Sequence, residues 1–217
     1  MASQGNMINY GDLSVTRIGT GGTSNSVRAI LTGGQDGSGN ATNVIDFGII
    51  TTGGTFTDFG DCTRVVGSKH ATLSNGHGGL SGGYEGTRIR PIPAGLEAGQ
   101  RGVNAGGDGD IDVISFVTIN TTGNATDFGD LSAAQSYAMG AGSSSTRGIF
   151  GSAANDSDYI TFATKGNSAF FGNLSSNRTQ GDALSNDTRM VFCGGNSNKD
   201  VLDYVTIATI GNAADFG

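Results

Sequence analysis

Apolar and polar residues alternate along four short stretches of this chain, and each stretch is followed by a turn rich in Thr, Gly and Asn. The clearest copy reads VISFVTINTTGNATDFGD from Val113 to Asp130, in which Val117 and Ile119 share one face of an extended strand. Alternation of this kind predicts a half-buried β-strand. The polar turn predicts the hairpin that joins this strand to the next one.

The same phrase occurs four times without gaps, which makes the chain a tandem repeat. In each copy the Phe of Phe-Gly lies thirteen residues after a fixed strand position: Asp46 to Phe59, Ser115 to Phe128, Asp158 to Phe171, and Asp203 to Phe216. This fidelity indicates one supersecondary unit copied along the chain. We therefore expect a single repeat domain over 1–217, with units of approximately 10–59, 59–128, 128–171 and 171–217.

Each unit reads as four short antiparallel strands, which in the third unit are SYAMGAG, TRGIFGSA, DYITFAT and SAFFGNL. So small a sheet cannot cover its own apolar faces, and neighbouring units must stack, either radially as a β-propeller or linearly as a solenoid. The chain starts with a fourth-strand sequence at Tyr10-Gly11-Asp12 and stops on the same strand at Asp215-Phe216-Gly217. We expect an all-β propeller of about four four-stranded blades, closed by pairing of the N- and C-terminal strands. An open assembly completed by other copies is the alternative.

The order of these pieces resembles the kelch repeat, in which the second strand ends in Gly-Gly and the fourth carries an aromatic residue. Gly-Gly is present at Gly33-Gly34, Gly82-Gly83 and Gly194-Gly195, and is reduced to Gly151-Ser152 in the third unit. The Phe of Phe-Gly-Asp stands where kelch repeats have Trp. The resemblance implies a kelch-like β-propeller.

Composition favours a folded β-protein with many tight turns. The chain has 39 glycines, two prolines and no tryptophan. Glycine supplies the positive φ angles that hairpin turns require. Disorder is the competing interpretation, but the recurring Val, Ile and Phe provide apolar surface to bury.

The net charge and the N-terminal sequence argue against nucleic-acid binding, export and membrane insertion. The formal charge of −7 disfavours nucleic acid, since phosphate neutralisation needs Lys and Arg. The start MASQGNMINYGD lacks the features of a signal peptide, and no apolar run reaches the length that spans a bilayer, so we expect neither export nor membrane insertion. Cys62 and Cys193 occupy non-equivalent repeat positions, which predicts two small core residues and no disulfide.

One unit is longer than the others, and we place its insertion as a loop at 84–110, between the second and third strands. This segment concentrates both prolines, both glutamates and three arginines of a chain that has little charge elsewhere. Long loops in compact domains are usually functional, which predicts a partner-binding loop, with a neutral surface insertion as the alternative. The candidate binding residues are Tyr84, Arg88, Arg90, Pro91, Ile92, Pro93, Glu97 and Arg101.

Alternating oxygen-bearing residues give the one candidate metal site. Asp108, Asp110 and Asp112 begin like a calcium-binding loop, but Val113 stands where such a loop has Gly and Ile119 stands where it has Glu. A solvated polar turn is the alternative. We expect no other cofactor.

Repeated arginines have a structural and a functional interpretation. Arg28, Arg147 and Arg189 open the second strand of their units, and Asp12 and Asp61 are among the aspartates that follow aromatic-Gly. Structural Arg–Asp pairs are the simpler prediction. The alternative is a ring of arginines at a channel mouth that holds anionic sugars or carboxylates.

Catalytic motifs are scarce, and we expect a protein that is not an enzyme. His70 and His77 lie in one irregular unit without the partners of a zinc site, which predicts two surface polar residues. The chain contains no nucleophile-elbow or phosphate-loop pattern.

A further resemblance covers nearly the whole chain. The segments Tyr204 to Thr209, Asn124 to Leu131 and Ser145 to Phe150 resemble tandem units of virion structural and tail-fibre proteins of tailed phages, particularly marine and cyanobacterial ones. The resemblance implies a non-enzymatic virion surface protein of the tail-fibre or adhesin type. It would act in a multi-copy assembly on the virion and bind a host-surface glycan or protein, or neighbouring virion proteins. The alternatives are a capsid or tail decoration protein and a glycan-degrading tail enzyme.

Overall fold

The computed structural model describes residues 7–68, 70–76, 100–135, 140–152, 155–196 and 199–217. Within these residues the chain forms four antiparallel sheets of four strands each and no helix, which confirms the all-β prediction. The strands of each sheet are neighbours in chain order, so every sheet is a meander. The described residues include no helix long and apolar enough to cross a bilayer.

The sheets are numbered here in chain order. Sheet 1 contains β1 (Gly21–Ser24), β2 (Arg28–Thr32), β3 (Thr42–Ile49) and β4 (Thr57–Val66). Sheet 2 contains β5 (Ala71–Ser74), β6 (Arg101–Ala105), β7 (Ile111–Thr118) and β8 (Thr126–Gln135). Sheet 3 contains β9 (Ala141–Ser143), β10 (Arg147–Gly151), β11 (Asp156–Thr161) and β12 (Ala169–Asn173). Sheet 4 contains β13 (Asp182–Ser185), β14 (Arg189–Cys193), β15 (Leu202–Thr206) and β16 (Ala214–Asp215).

The apolar core of the described chain lies between successive sheets. Alternation along each strand sends one set of side chains toward the preceding sheet and the other toward the following sheet. Val117 of the third strand of sheet 2, and Ile119 just after that strand, pack on Ile30, Ile45 and Phe59 of sheet 1. Equivalent clusters join sheet 2 to sheet 3 and sheet 3 to sheet 4. No sheet therefore has a core of its own, which is the expected property of a repeat array.

The phrase Phe-Gly-Asp, which reads Phe-Gly-Asn at 171–173, forms the junction between one sheet and the next. The Gly166 amide donates to the Phe128 carbonyl at 2.8 Å, and the Ser168 amide donates to the Asp130 carbonyl at 2.7 Å. The Asp130 amide in turn donates to Oδ1 of Asn167 at 3.1 Å. The same three bonds join 59–61 to 123–125 and 171–173 to 211–213. The fourth strand of each of these sheets thus holds the third-to-fourth-strand turn of the next sheet.

The central glycine of the junction is required by close approach of two backbones. A Cβ atom on Gly129 would lie 2.3 Å from the carbonyl of Gly166, and one on Gly172 would lie 2.1 Å from the carbonyl oxygen of Gly211. These distances are far shorter than a van der Waals contact. Any other residue at these positions would separate the sheets.

The phenylalanine of the junction meets a second aromatic ring on the third strand of its own sheet. In all four sheets the two rings pack edge to face, with centroids 5.7 to 6.0 Å apart. The pairs are Phe47–Phe59, Phe116–Phe128, Tyr159–Phe171 and Tyr204–Phe216. This pairing gives a physical reason for the constant spacing between the third strand and Phe-Gly.

The described residues at the two chain ends contact different sheets, and the pairing of N- and C-terminal strands stays a prediction. Tyr10 and Asp12 accept hydrogen bonds at 2.7 Å from Gly54 and Phe56 of sheet 1, as Phe-Gly-Asp does at the internal junctions. The strand β16 pairs with β15 of sheet 4.

The inserted loop lies one strand earlier than the sequence predicted. Residues 101–105 form β6, and the Gly-Gly that follows this strand is Gly106-Gly107 instead of Gly82-Gly83. The second and third strands of sheet 2 are joined by the short turn 106–110. The extra residues therefore fall between β5 and β6, and 77–99 lie outside the described residues.

Replacement of Gly172 by Ala should destabilise the junction between sheets 3 and 4 by about 1–3 kcal/mol, because the added methyl group meets a backbone carbonyl that cannot turn away. Gly211→Ala is the matched control, since a Cβ atom there has open space within 4 Å. Urea unfolding of both variants measures the difference. Equal stabilities would contradict the steric role of the junction glycine.

Candidate functional site

The first strands of the four sheets line a common cavity of about 260 Å³. Strand β1 contacts β5, β5 contacts β9, and β9 contacts β13. In the described chain the lining is small and uncharged: Thr23, Ser24, Leu73, Ser74, Ala141, Gly142, Ser143, Ala183, Leu184 and Ser185. None of these lining side chains is ionisable.

Each of these four strands ends in a serine, and the serines connect neighbouring strands. Ser74 Oγ donates to the Ser24 carbonyl at 2.6 Å, and Ser143 Oγ donates to the Ser74 carbonyl at 2.7 Å. Ser185 Oγ donates to the Ser143 carbonyl at 3.0 Å. The hydroxyls are therefore engaged in structure and are not arranged as nucleophiles. The sequence signal was available in the shared spacing Ser-x-x-x-Arg that begins at Ser24 and at Ser185.

The repeated arginines clasp one sheet to the next. Arg28 Nη1 donates to the Ile119 carbonyl at 3.1 Å, and Arg147 Nη1 donates to the Ile207 carbonyl at 2.8 Å. Arg101 makes the same bond to Phe162. Each guanidinium also lies over the aromatic ring of its own third strand, 4.3 to 4.8 Å from the centroid, as does that of Arg189 over Tyr204.

These contacts correct two sequence-based interpretations. The predicted pairs with the aspartates of Phe-Gly-Asp are replaced by bonds to carbonyl oxygens and rings. The alternative of an arginine ring at a channel mouth is not what the cavity shows, because its described lining contains no arginine. Arg101 was assigned to the partner-binding loop, but it opens β6 and is the fourth member of the arginine set.

Two other arginines form buried ion pairs that the sequence did not reveal. Arg17 Nη2 lies 2.7 Å from Asp46 Oδ2, and Arg178 Nη2 lies 2.7 Å from Asp203 Oδ2, with all four side chains fully buried. Both arginines follow an aromatic-Gly sequence by the same number of residues. Each therefore ties the segment that enters a sheet to the third strand of that sheet. Only two of the four units have this arginine, so the pattern was too sparse to predict.

The predicted partner-binding loop lies mostly outside the described residues. Tyr84, Arg88, Arg90, Pro91, Ile92, Pro93 and Glu97 all fall within 77–99, and their role stays a prediction. Only Arg101 is described, and it donates a hydrogen bond to the Phe162 carbonyl of the next sheet.

The three aspartates of the candidate calcium loop lie in three different environments. Asp108 Oδ2 accepts a hydrogen bond from the Ser68 hydroxyl at 2.9 Å. Asp110 occupies a left-handed turn with φ of 55°, and Asp112 lies exposed in β7. Within the part of the chain that the structure describes, no three His, Cys, Asp or Glu side chains are grouped so that they could hold a metal ion.

The equivalent turn of sheet 1 shows the polar alternative directly. Asp36 Oδ1 accepts hydrogen bonds from the amides of Asn40 and Ser38 at 2.9 and 2.8 Å. These bonds, led by the one from Asn40, lower the pKa of the Asp36 carboxyl. The carboxylate thus stabilises its own turn through these hydrogen bonds.

His70 is a structural residue, and the prediction of a surface histidine is wrong. Its Nε2 accepts a hydrogen bond from the Gly21 amide at 3.1 Å, while Nδ1 lies 2.9 Å from the Gly67 carbonyl. These partners require a neutral ring that carries its proton on Nδ1. Burial lowers the pKa of the imidazole, which agrees with that assignment. His77 lies outside the described residues.

Both cysteines are free thiols, of which Cys62 is buried and Cys193 is half-buried, so the predicted core position holds for Cys62 alone. Cys62 is buried in the cluster between sheets 1 and 2. Burial raises the pKa of its thiol to about 11. A protonated thiol in this position acts as a small apolar residue.

Comparison with protein-family models and with curated proteins finds no match for the chain.

The free energy of unfolding should decrease at acidic pH because of His70. Because the folded state lowers its pKa, the unfolded state binds the proton more readily, and stability falls as pH drops below the ordinary value of about 6.5. The slope contributed by one such group is at most about 1.4 kcal/mol per pH unit. Urea unfolding at several pH values between about 7.5 and 5.5 measures it.

His70→Gln is the comparison protein, because glutamine keeps a polar side chain that does not titrate. Its stability should change less over the same pH range than that of the parent chain. Asp108 and Arg64 also act on this imidazole and are present in both proteins. Parallel pH profiles would show that His70 is not the titrating group.

Arg147→Ala should cost about 1 kcal/mol more than Arg189→Ala, measured by urea unfolding of the dilute protein. Both variants lose a cation–π contact, but only Arg147 also donates a hydrogen bond to a following sheet. Arg189 is therefore the internal control for loss of the guanidinium itself. If Arg189→Ala lowers the free energy of unfolding as much as Arg147→Ala does, the Arg147 hydrogen bond to the next sheet is not stabilising.

Proposed function

We propose that this chain is a non-enzymatic phage virion surface protein of the tail-fibre or adhesin type, binding a host-surface glycan or protein or neighbouring virion proteins. The observation that carries the proposal is the use of the recurring polar residues. The serines, arginines and Phe-Gly-Asp segments of successive units are engaged in joining one sheet to the next. A scaffold of this kind leaves recognition to the loops at the sheet edges.

The proposal includes a kelch-like, propeller-type arrangement of the four sheets. Three features favour it: the first strands contact one another in sequence, residues from all four line one cavity, and successive sheets pack face to face. Radial stacking brings first strands together in this way, whereas linear stacking would spread them along an axis.

The recognition element in this proposal is the loop inserted between β5 and β6. It combines two prolines, which limit the conformations of the free loop, with the cations Arg88 and Arg90. The cations suit an anionic glycan or an acidic protein surface.

Purified particles of the phage that encodes the chain provide the first test. Antibodies to the chain should label the tail in negative-stain images, and the chain should be recovered with isolated tails in fixed stoichiometry. Recovery with capsids instead would support the decoration protein. Absence of the chain from purified particles would overturn the virion assignment.

Binding to a glycan array provides the second test. The double variant Arg88→Ala/Arg90→Ala should lose at least tenfold in affinity, a loss of about 1.4 kcal/mol. Lys199→Ala is the matched control, an exposed cation outside the loop. Equal binding by the parent chain and the loop variant would argue against this recognition site. Release of sugar that stops on substitution of a single Asp or Glu would favour the enzyme alternative.

A further inference from the structure

The buried ion pairs of sheets 1 and 4 occupy the same position of the repeat. The arginine lies seven residues after the aromatic of aromatic-Gly, and the aspartate is the third-strand residue thirteen before the next Phe-Gly. The pairs are Arg17 with Asp46 and Arg178 with Asp203. Each guanidinium donates to the carboxylate and also to the backbone carbonyl two residues before that aspartate. A positive and a negative charge are thus buried together.

Sheet 2 keeps the charge balance at this position by having neither charge. Its residues here are Val66 and Ser115, which are 2% and 3% exposed. A buried ionised group without a counter-charge costs far more free energy than a neutral pair does. Loss of both charges in the same unit is what that cost predicts.

Sheet 3 has the negative charge without the positive one. Asp158 is its aspartate and is 2% exposed, whereas Gln135 stands where sheets 1 and 4 have arginine and is 5% exposed. The two buried ion pairs of the described chain do not include Asp158. Among the four sheets that the structure describes, sheet 3 alone therefore carries a net charge at this position.

Neutral donors replace the hydrogen bond of the arginine at Asp158 but not its charge. The Ser132 amide and hydroxyl donate to the carboxylate at 2.8 and 2.9 Å, and Ser14 makes the same two contacts with Asp46. Ser168 Oγ donates to Asp158 Oδ2 at 2.7 Å, the oxygen that the guanidinium binds in sheets 1 and 4. These bonds leave the carboxylate charge without a counter-ion.

We propose that sheet 3 binds a small monovalent cation, such as sodium, at the place that the guanidinium fills in sheets 1 and 4. The two acceptors of the guanidinium have equivalents there, namely the carboxylate of Asp158 and the backbone carbonyl of Asp156. Oxygen ligands suit a hard cation. One buried carboxylate balances one positive charge, which favours a monovalent ion over a divalent one. This inference does not depend on the proposed function.

The side chain of Gln135 agrees with this assignment. Glutamine is uncharged and shorter than arginine, and its amide has an oxygen that can bind a cation. The hydroxyl oxygens of Ser132 and Ser168 keep lone pairs when their protons bind Asp158. The position thus combines one buried carboxylate with neutral oxygen ligands.

Urea unfolding in sodium chloride and in tetramethylammonium chloride of equal ionic strength tests the proposal, because the organic cation is too large for such a site. Saturating sodium should lower the unfolding equilibrium constant of the parent chain by about tenfold or more, since it binds only the folded state. Identical unfolding curves in the two salts would overturn the proposal.

Two variants locate the sodium effect at sheet 3. Gln135→Arg rebuilds the ion pair of sheets 1 and 4, and Asp158→Asn removes the charge, so each should unfold alike in the two salts. Asp46→Asn is the matched control, since it removes the corresponding carboxylate of sheet 1 and should keep the sodium effect. If the effect survives in Gln135→Arg, or disappears in Asp46→Asn, sodium does not bind at sheet 3.

Sodium NMR relaxation gives a readout that needs no unfolding and decides the matter if an asparagine variant does not fold. The parent chain should broaden the sodium signal, and Gln135→Arg at the same concentration should broaden it less. Circular dichroism confirms that Gln135→Arg keeps the fold. Equal broadening by the two folded proteins would contradict the proposed site.

Discussion

The fold depends on one contact, in which Phe-Gly-Asp of a unit holds the turn of the unit that follows. Its phenylalanine fills the space between sheets, and its glycine lets two backbones approach so closely that no side chain fits. Its backbone then binds the turn through three hydrogen bonds. Because a four-stranded sheet has no core of its own, this junction supplies both the buried area and the relative orientation of neighbouring sheets.

The other recurring contacts are arranged around that junction. At the cavity, the serine that ends a first strand donates a hydrogen bond to the first strand of the preceding sheet. The arginine of the second strand donates to the residue that follows the third strand of the next sheet. Successive strands of one sheet thus hold successive parts of its neighbour. As a result, the repeated serines and arginines of the internal junctions have hydrogen-bond partners in the neighbouring sheets.

The repeated parts of the fold could be predicted from the sequence because their signals are redundant. Strand alternation and the constant spacing to Phe-Gly located the third and fourth strands of every unit. The second strand of sheet 2 was misplaced because Gly82-Gly83 and Gly106-Gly107 carry the same local signal. Arg101 distinguishes them, since an arginine opens the second strand in each of the other three units, but one sequence does not show that this arginine binds the next sheet.

Side-chain roles outside the repeat pattern could not be predicted. His70 was predicted to be a surface residue because the sequence shows no metal-site partners for it, yet its partners Gly21 and Thr32 come from another sheet. The ion pair of Arg17 and Asp46 likewise joins residues far apart in the chain. Both interactions depend on the tertiary structure, because each joins the segment that precedes a sheet to strands distant from it in the chain.

The ends of a repeat array have a physical problem that its middle does not. Every internal junction buries the phenylalanine of the preceding sheet, whereas in the part of the chain that the structure describes Phe216 and Leu184 of sheet 4 are 52% and 64% exposed. Arrays that stay monomeric solve this with terminal units whose outer faces are polar. Here Leu184 and Phe216 keep the apolar character of their internal equivalents, and the N-terminal Tyr10 covers only the turn of sheet 1. The exposed residues of sheets 1 and 4 thus repeat the chemistry of the positions that the internal junctions bury.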